Sequence, residues 1–202
     1  MRRVILALAA CTAVGTASAK QDGSVEFSAT HVIRIPELGQ THVKLYVSND
    51  RMRVESQVWG IESVGLTDLR TGKVVVWIPQ KKIATELSAL PPGFQGLSAL
   101  HRMQESEDPC AGRADYTCER LGTERVGGLS AQKWHMVPRN PTQGLREMRV
   151  WIAPELGRGH PVRTEDAEGN TMELTDIKLG KQPDSLFEVP AGYRKVDVDS
   201  LF

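Results

Sequence analysis

The chain has 202 residues, with 25 Lys+Arg against 25 Asp+Glu and a formal charge of zero. Forty per cent of it is apolar and 25% charged, which excludes a disordered chain, a collagen and a polytopic membrane protein. The neutral balance argues against a nucleic-acid binder, and 18 Gly with 11 Pro favour turns over long helices.

Residues 1–19 read as a secretory signal. Met1-Arg2-Arg3 is a short basic start, Val4 to Val14 is apolar or small, and Ala17-Ser18-Ala19 is a cleavage site before Lys20. The apolar run is too short to cross ~30 Å of hydrocarbon, so no transmembrane segment is expected and export to the periplasm is. Leu8-Ala9-Ala10-Cys11 also looks like a lipobox, which leaves a lipoprotein anchored through Cys11 as the alternative. Residues 20–202 read as one domain with two cysteines, Cys110 and Cys118. An even count in an oxidising compartment, across a polar and turn-prone segment, predicts a disulfide. A redox pair would need the C-x-x-C spacing, which is absent.

The rest of the chain reads as strand after strand. Val25, Phe27 and Ala29 alternate with Glu26, Ser28 and Thr30. Val43, Leu45 and Val47 alternate with His42, Lys44 and Tyr46. After the Ser48-Asn49-Asp50 turn, Met52, Val54 and Val58 alternate with Arg51, Arg53, Glu55 and Gln57. Period-2 patterning on both sides of a short polar turn predicts an antiparallel hairpin with one apolar face. Residues 63–69 and 73–78 repeat the device around Thr71-Gly72, and 83–87 follows. Residues 90–109 break the rhythm. After Pro91-Pro92-Gly93, the residues Phe94, Leu97, Leu100, His101 and Met103 have near-helical spacing and predict one short helix packed on a sheet. Strands resume at 119–126, 131–137, 146–153, 160–166 and 171–179, and residues 183–187 read as one helical turn. The fold class is mainly β. About ten strands form a curved antiparallel sheet or incomplete barrel, with one or two short helices on its concave side.

The search for chemistry finds no G-x-S-x-G elbow, no H-E-x-x-H and no phosphate-binding loop. The five His (31, 42, 101, 135 and 160) are scattered, and the carboxylate pairs Glu105/Glu107 and Asp197/Asp199 sit where a solvated loop or tail would lie. No catalytic residue, metal or cofactor is expected, and the chain does not read as an enzyme. What remains is surplus apolar surface. One short helix cannot cover ten half-apolar strands, and each CH₂ buried there contributes roughly 0.8 kcal/mol to holding an acyl chain. The candidate cavity lining is Val43, Leu45, Met52, Val54, Trp77, Leu97, Leu100, Met136 and Trp151.

A family likeness runs through these residues. Trp151-Ile152-Ala153-Pro154, Pro161-Val162-Arg163, Leu174-Thr175-Asp176-Ile177 and Leu186-Phe187-Glu188-Val189-Pro190-Ala191-Gly192-Tyr193 follow in an order that resembles the LolA/LolB-like superfamily, and within it a DUF4412-type branch. Arg51-Met52-Arg53-Val54-Glu55 and Gly122-Thr123-Glu124 fit the same branch. The resemblance implies a LolA-like half-barrel over residues 20–202, with a helical lid over a hydrophobic concavity. It supplies no catalytic residue. The chain departs from the lipoprotein carriers in opening on a strand where they place a helix. At position 131 it has Ala where related sequences often have a further Cys, which leaves Cys110–Cys118 as the natural pair. The expected function is a periplasmic binding or carrier protein for a lipid, an acyl chain or an acylated protein. The alternative is an envelope interaction or stress-sensing module that recognises a peptide or acylated partner without catalysis.

Overall fold

The computed structural model describes residues 25–58, 60–87, 108–111, 113–140, 146–157 and 160–197. The signal segment, Cys11, Trp59 and the expected helix with Leu97 and Leu100 lie outside them. Twelve strands form one sheet. The first six are β1 (Phe27–Ile35), β2 (Gly39–Ser48), β3 (Arg51–Val58), β4 (Ile61–Asp68), β5 (Val74–Ile78) and β6 (Ile83–Leu87). The next five are β7 (Tyr116–Val126), β8 (Leu129–Pro138), β9 (Met148–Ile152), β10 (Pro161–Asp166) and β11 (Thr171–Leu179), and a two-residue β12 (Arg194–Lys195) ends the series.

The order across the sheet is β12-β6-β5-β4-β3-β2-β1-β11-β10-β9-β8-β7. Two meanders therefore run outward from a central seam, where β1 pairs antiparallel with β11. All neighbours are antiparallel except β12 on β6. The sheet is not closed into a barrel, and β7 and β12 are its edges. The expected curved β class is what the structure shows, with two more strands than the sequence pattern suggests.

Local chemistry explains the turns. Asn49 takes a left-handed φ of 51° at the β2–β3 turn, which an Asn side chain tolerates better than most. Gly127 and Gly128 both have positive φ in the two-residue β7–β8 turn, as a right-twisted hairpin prefers. A Cβ on Gly127 would lie 2.8 Å from both the Leu174 carbonyl oxygen and Ile177 Cδ1, so glycine lets this hairpin tip press onto β11. At the seam, Asp176 is left-handed (φ 51°) and the register shifts between Ser28 and Thr30, which makes a bulge in β11.

Register assigns the faces. The face carrying Leu45, called the front, holds Phe27, Ala29, His31 and Ile33 of β1, with Val43 and Val47 of β2 and Met52 and Val54 of β3. One row on it crosses the seam through Ile33, Met172, Thr164, Val150 and Trp134. The adjacent row on the back face runs through Val32, Glu173, Arg163, Trp151 and Lys133. The main core joins Phe27, Leu45, Val47 and Met52 to Leu69 and to Leu156, which sits in a 3-10 turn over Pro154–Leu156. A second cluster of Tyr116, Met136, Val150 and Ile152 packs against Cys110 and Cys118, which form the expected disulfide.

The chain's C-terminal stretch covers the back of β3–β6. Val189 and Tyr193 pack on Val64, Trp77 and Ala84. Arg53 donates to the Leu186 carbonyl at 2.8 Å and stacks its guanidinium over Trp77 at 5.1 Å. Arg51 lies 4.7 Å over the Phe187 ring and bonds Asp184 at 2.7 Å. The expected helical turn is therefore present, as a 3-10 turn over Asp184–Phe187. Phe187 is buried, so Phe187→Ala is expected to lower stability by about 3 kcal/mol. Urea unfolding measures this, and a loss under about 1 kcal/mol would show that the stretch contributes little to the fold.

Candidate functional site

The seam also builds a concavity. The turn after β1 (Ile35, Pro36 and Glu37) stands beside the start of β9 and the β10–β11 hairpin. Together they enclose about 580 Å³ in an open groove at one end of the front face. Its floor is apolar, formed by Ile33, Met148 and Met172. The volume lies within the range of small-molecule sites.

The rim is polar and mostly acidic. Glu37, Glu165, Asp166 and Glu168 line the groove together with one cation, Arg146. Asp166 organises the β10–β11 turn. Its carboxylate accepts from the backbone N–H groups of Glu168 and Asn170, from the Asn170 side chain at 2.8 Å and from Arg146 at 3.2 Å. Burial acts to raise its pKa, but the bonds from Asn170, Arg146 and Glu168 outweigh it and hold the carboxyl below the usual range. Arg146 also pairs with Glu168. Glu165 accepts from Arg149 across the strands and from Arg163 two residues earlier on β10.

Of the residues expected from sequence to line a cavity, the structure brings five together. Leu45, Met52 and Trp151 are buried in the main core, Val54 packs against it, and Val43 lies beside Leu45 on the same face of β2, partly buried. The hollow at that end, between Phe27, Val47, Leu69, Leu156 and His160, measures only about 10 Å³. Met136 is buried with Val150 in the disulfide cluster, and Trp151, one residue out of step with Val150, joins the main core instead. Trp77 projects to the back, because it is one residue out of step with its front-facing neighbour Val76. Trp77 lies under the C-terminal stretch. Trp151 is covered by Lys133 and Arg163, each 4.9 Å from its ring, and its indole N–H donates to Glu124 at 2.8 Å. Leu97 and Leu100 are outside the described residues.

None of the expected residues that are described lines the groove. Its parts come from three separated stretches of sequence. The signal present was the turn Gly169-Asn170, and it does not say which strands become neighbours.

Two of the scattered histidines also meet. His160 is buried, with its ring edge-on to Phe27 at 5.2 Å. His31 lies on the front face opposite Leu174. Burial lowers both pKa values to about 4, and the charge of His31 acts against protonation of His160.

The comparisons bear on this geometry. Residues 139–193 match the family model described as Domain of unknown function (DUF4412), the branch that the C-terminal motifs resemble. No curated protein matches the sequence. Three solved structures are among those that match. An uncharacterized conserved protein from Thermus thermophilus is 17% identical with a TM-score of 0.54, over 86% of this chain and 90% of that one. PNGF-II is 13% identical with a TM-score of 0.48 over 88% of this chain, which spans only 32% of PNGF-II's length. The LolA superfamily protein NE2245 from Nitrosomonas europaea is 14% identical with a TM-score of 0.34, over 83% of this chain and 91% of that one. No helix among the described residues is long and apolar enough to cross a membrane.

The histidine pair makes a pH prediction. Both folded pKa values lie below the ordinary 6.5, so the unfolded chain binds more protons between pH 6.5 and 4. Stability is then full above about pH 6.5 and falls as the pH drops towards 4. Buried His160 alone accounts for roughly 3 kcal/mol, and His31, less fully covered, for a smaller share. Urea unfolding at pH 7 and pH 5 should show the loss. The double variant His31→Gln/His160→Gln should flatten the slope, and an unchanged slope would refute the assignment.

Proposed function

We propose that this chain is an exported, non-catalytic binding protein that holds an acyl chain or similar apolar ligand in the groove at the end of the front face. The observation that carries the reading is an open space of about 580 Å³ floored by Ile33, Met148 and Met172. These side chains are partly exposed, so apolar area remains there for a guest to cover. Two methionines suit a ligand of flexible shape, because an unbranched thioether adapts to irregular contacts. The turn beside the groove presents further apolar surface, with Ile35 36% and Leu38 82% exposed. The superfamily resemblance of the sequence motifs supports the same class, and the apparent signal segment supports an envelope location.

The site differs from the one expected from strand alternation. The Leu45–Met52 region is filled by its own side chains, and the groove lies towards the opposite ends of β1 and β2. Titration with an uncharged fluorescent monoacylglycerol analogue tests the proposal. The wild-type chain should bind it, and Met172→Glu should weaken binding by about tenfold or more, because a carboxylate on the floor must be desolvated. Leu179→Glu, at an exposed position at the end of β11 and outside the groove, should not change it. No binding by the wild-type chain, or equal binding by Met172→Glu, would overturn the proposal.

A further inference from the structure

The rim of the groove carries information about the head of the ligand. Three carboxylates at the mouth, Glu37, Asp166 and Glu168, face one lining cation, Arg146. Arg146 is shared by Asp166 and Glu168, so a single guanidinium serves two carboxylates. Glu37 has no ion-pair partner among the described residues and stands on the turn after β1, whose Pro36 ring lies against Gly169 of the β10–β11 turn. The cations that satisfy Glu165 do not repair the deficit at the mouth. Arg149 and Arg163 belong to the back-face rows, Arg163 is stacked on Trp151, and it also faces Glu173 at 3.7 Å. The mouth therefore keeps a negative surplus beside an apolar floor.

We infer that the groove selects an amphiphile whose head carries a positive charge, an alkylammonium or free-amine head, over one with an anionic head. The inference rests on the reading of the groove as an apolar-ligand site and adds its chemical class. A cationic head at the mouth gains attraction from Glu37 and from the surplus charge of the Asp166–Glu168 pair while the alkyl chain covers Ile33, Met148 and Met172. An anionic head at the same depth faces like charge and finds only Arg146, already held by two carboxylates. Asp166 anchors its own turn through Asn170 and Glu168 shares Arg146 with it, so Glu37 is the carboxylate without a partner and Glu168 adds to the surplus. At an exposed mouth such attraction is screened by salt, which supplies a signature separate from apolar burial.

Competition against the uncharged monoacylglycerol probe tests this, with three surfactants of equal chain length used below their micelle-forming concentrations: an alkyltrimethylammonium, an alkyl maltoside and an alkyl sulfate. At low ionic strength the ammonium should displace the probe at about tenfold lower concentration than the sulfate, with the maltoside between them. At 0.5 M salt, where the Debye length falls to roughly 4 Å, the gap should shrink. Glu37→Gln/Glu168→Gln should narrow it at low salt. If the probe binds and the sulfate competes as well as the ammonium, the charge inference fails and the groove reading stands. If the probe does not bind at all, the groove reading itself has failed. A preference for ammonium that survives both high salt and the double variant would also overturn the inference, because its origin would then lie away from the mouth.

Discussion

The β1–β11 seam is the constraint on which the rest of the molecule depends. Its contacts join residues far apart in sequence, such as the Thr175 hydroxyl that donates to the Thr30 carbonyl across 145 positions. Each meander can form from local hairpins, but neither alone brings β1 beside β11. Closing so long a loop costs entropy before any ladder bond repays it, a feature that slows folding in sheets of high contact order. The seam must nevertheless form, because it sets Ile33 beside Met172 and so lays the floor of the groove. The bulge at Asp176 and the pressure of Gly127 on Leu174 and Ile177 fix its register from the other end. A slip of one residue would turn Ile33 and Leu174 to the back and destroy core and groove together.

The two faces meet the problem of apolar surface in opposite ways. On the back, cations lie over aromatic rings, Arg53 over Trp77 and Arg51 over Phe187, and Lys133 with Arg163 likewise cap Trp151 of the main core. Each contact shields a ring from water and places a charge outside it, so that face is closed to an apolar guest. On the front, the core is closed by other apolar groups, with Leu156 and Leu69 packed on Phe27, Val47 and Met52. The groove lies where neither device operates. Among the described residues no cation is stacked on its floor, and the turn after β1 holds Ile35 and Leu38 towards solvent.

Strand alternation made most of the fold legible. The alternating sets in β1, β2 and β3 and the hairpin turns at Asn49, Gly127 and Gly169 correspond to the observed elements, because half-buried antiparallel strands write their faces directly into the sequence. The disulfide was equally readable from an even pair of cysteines flanking a polar, turn-prone segment. The uniformly apolar run Val74 to Ile78 was harder. Its alternation is hidden because both faces are covered, so nothing in it shows that Trp77 belongs with Val64 on the back while Val76 belongs with Gly65 on the front. Trp151 shows a related limit: register pairs it with Lys133 and Arg163, which lie over its ring, while the ring itself is buried in the main core with Leu45 and Met52. The groove was not legible at all. It depends on which meander edge meets which, and alternation within a strand carries no information about its distant neighbours.

Placement of charge follows from the same seam. The β10–β11 turn needs a carboxylate at Asp166 to satisfy the N–H groups of Glu168 and Asn170, and that carboxylate needs a cation, which Arg146 supplies from the neighbouring chain before β9. This requirement is structural and would exist without any ligand. Glu37 is different, since it is exposed and has no ion-pair partner among the described residues, and Glu168 can only share the cation that Asp166 already holds. Carboxylates in excess of the cations around an apolar floor add like-charge repulsion to the native state. A sheet stabilised at its seam and on its back face has the margin to tolerate that repulsion. The physical content of the site is this separation: burial holds the scaffold together elsewhere, and the mouth is left with charge that only something outside the chain can neutralise.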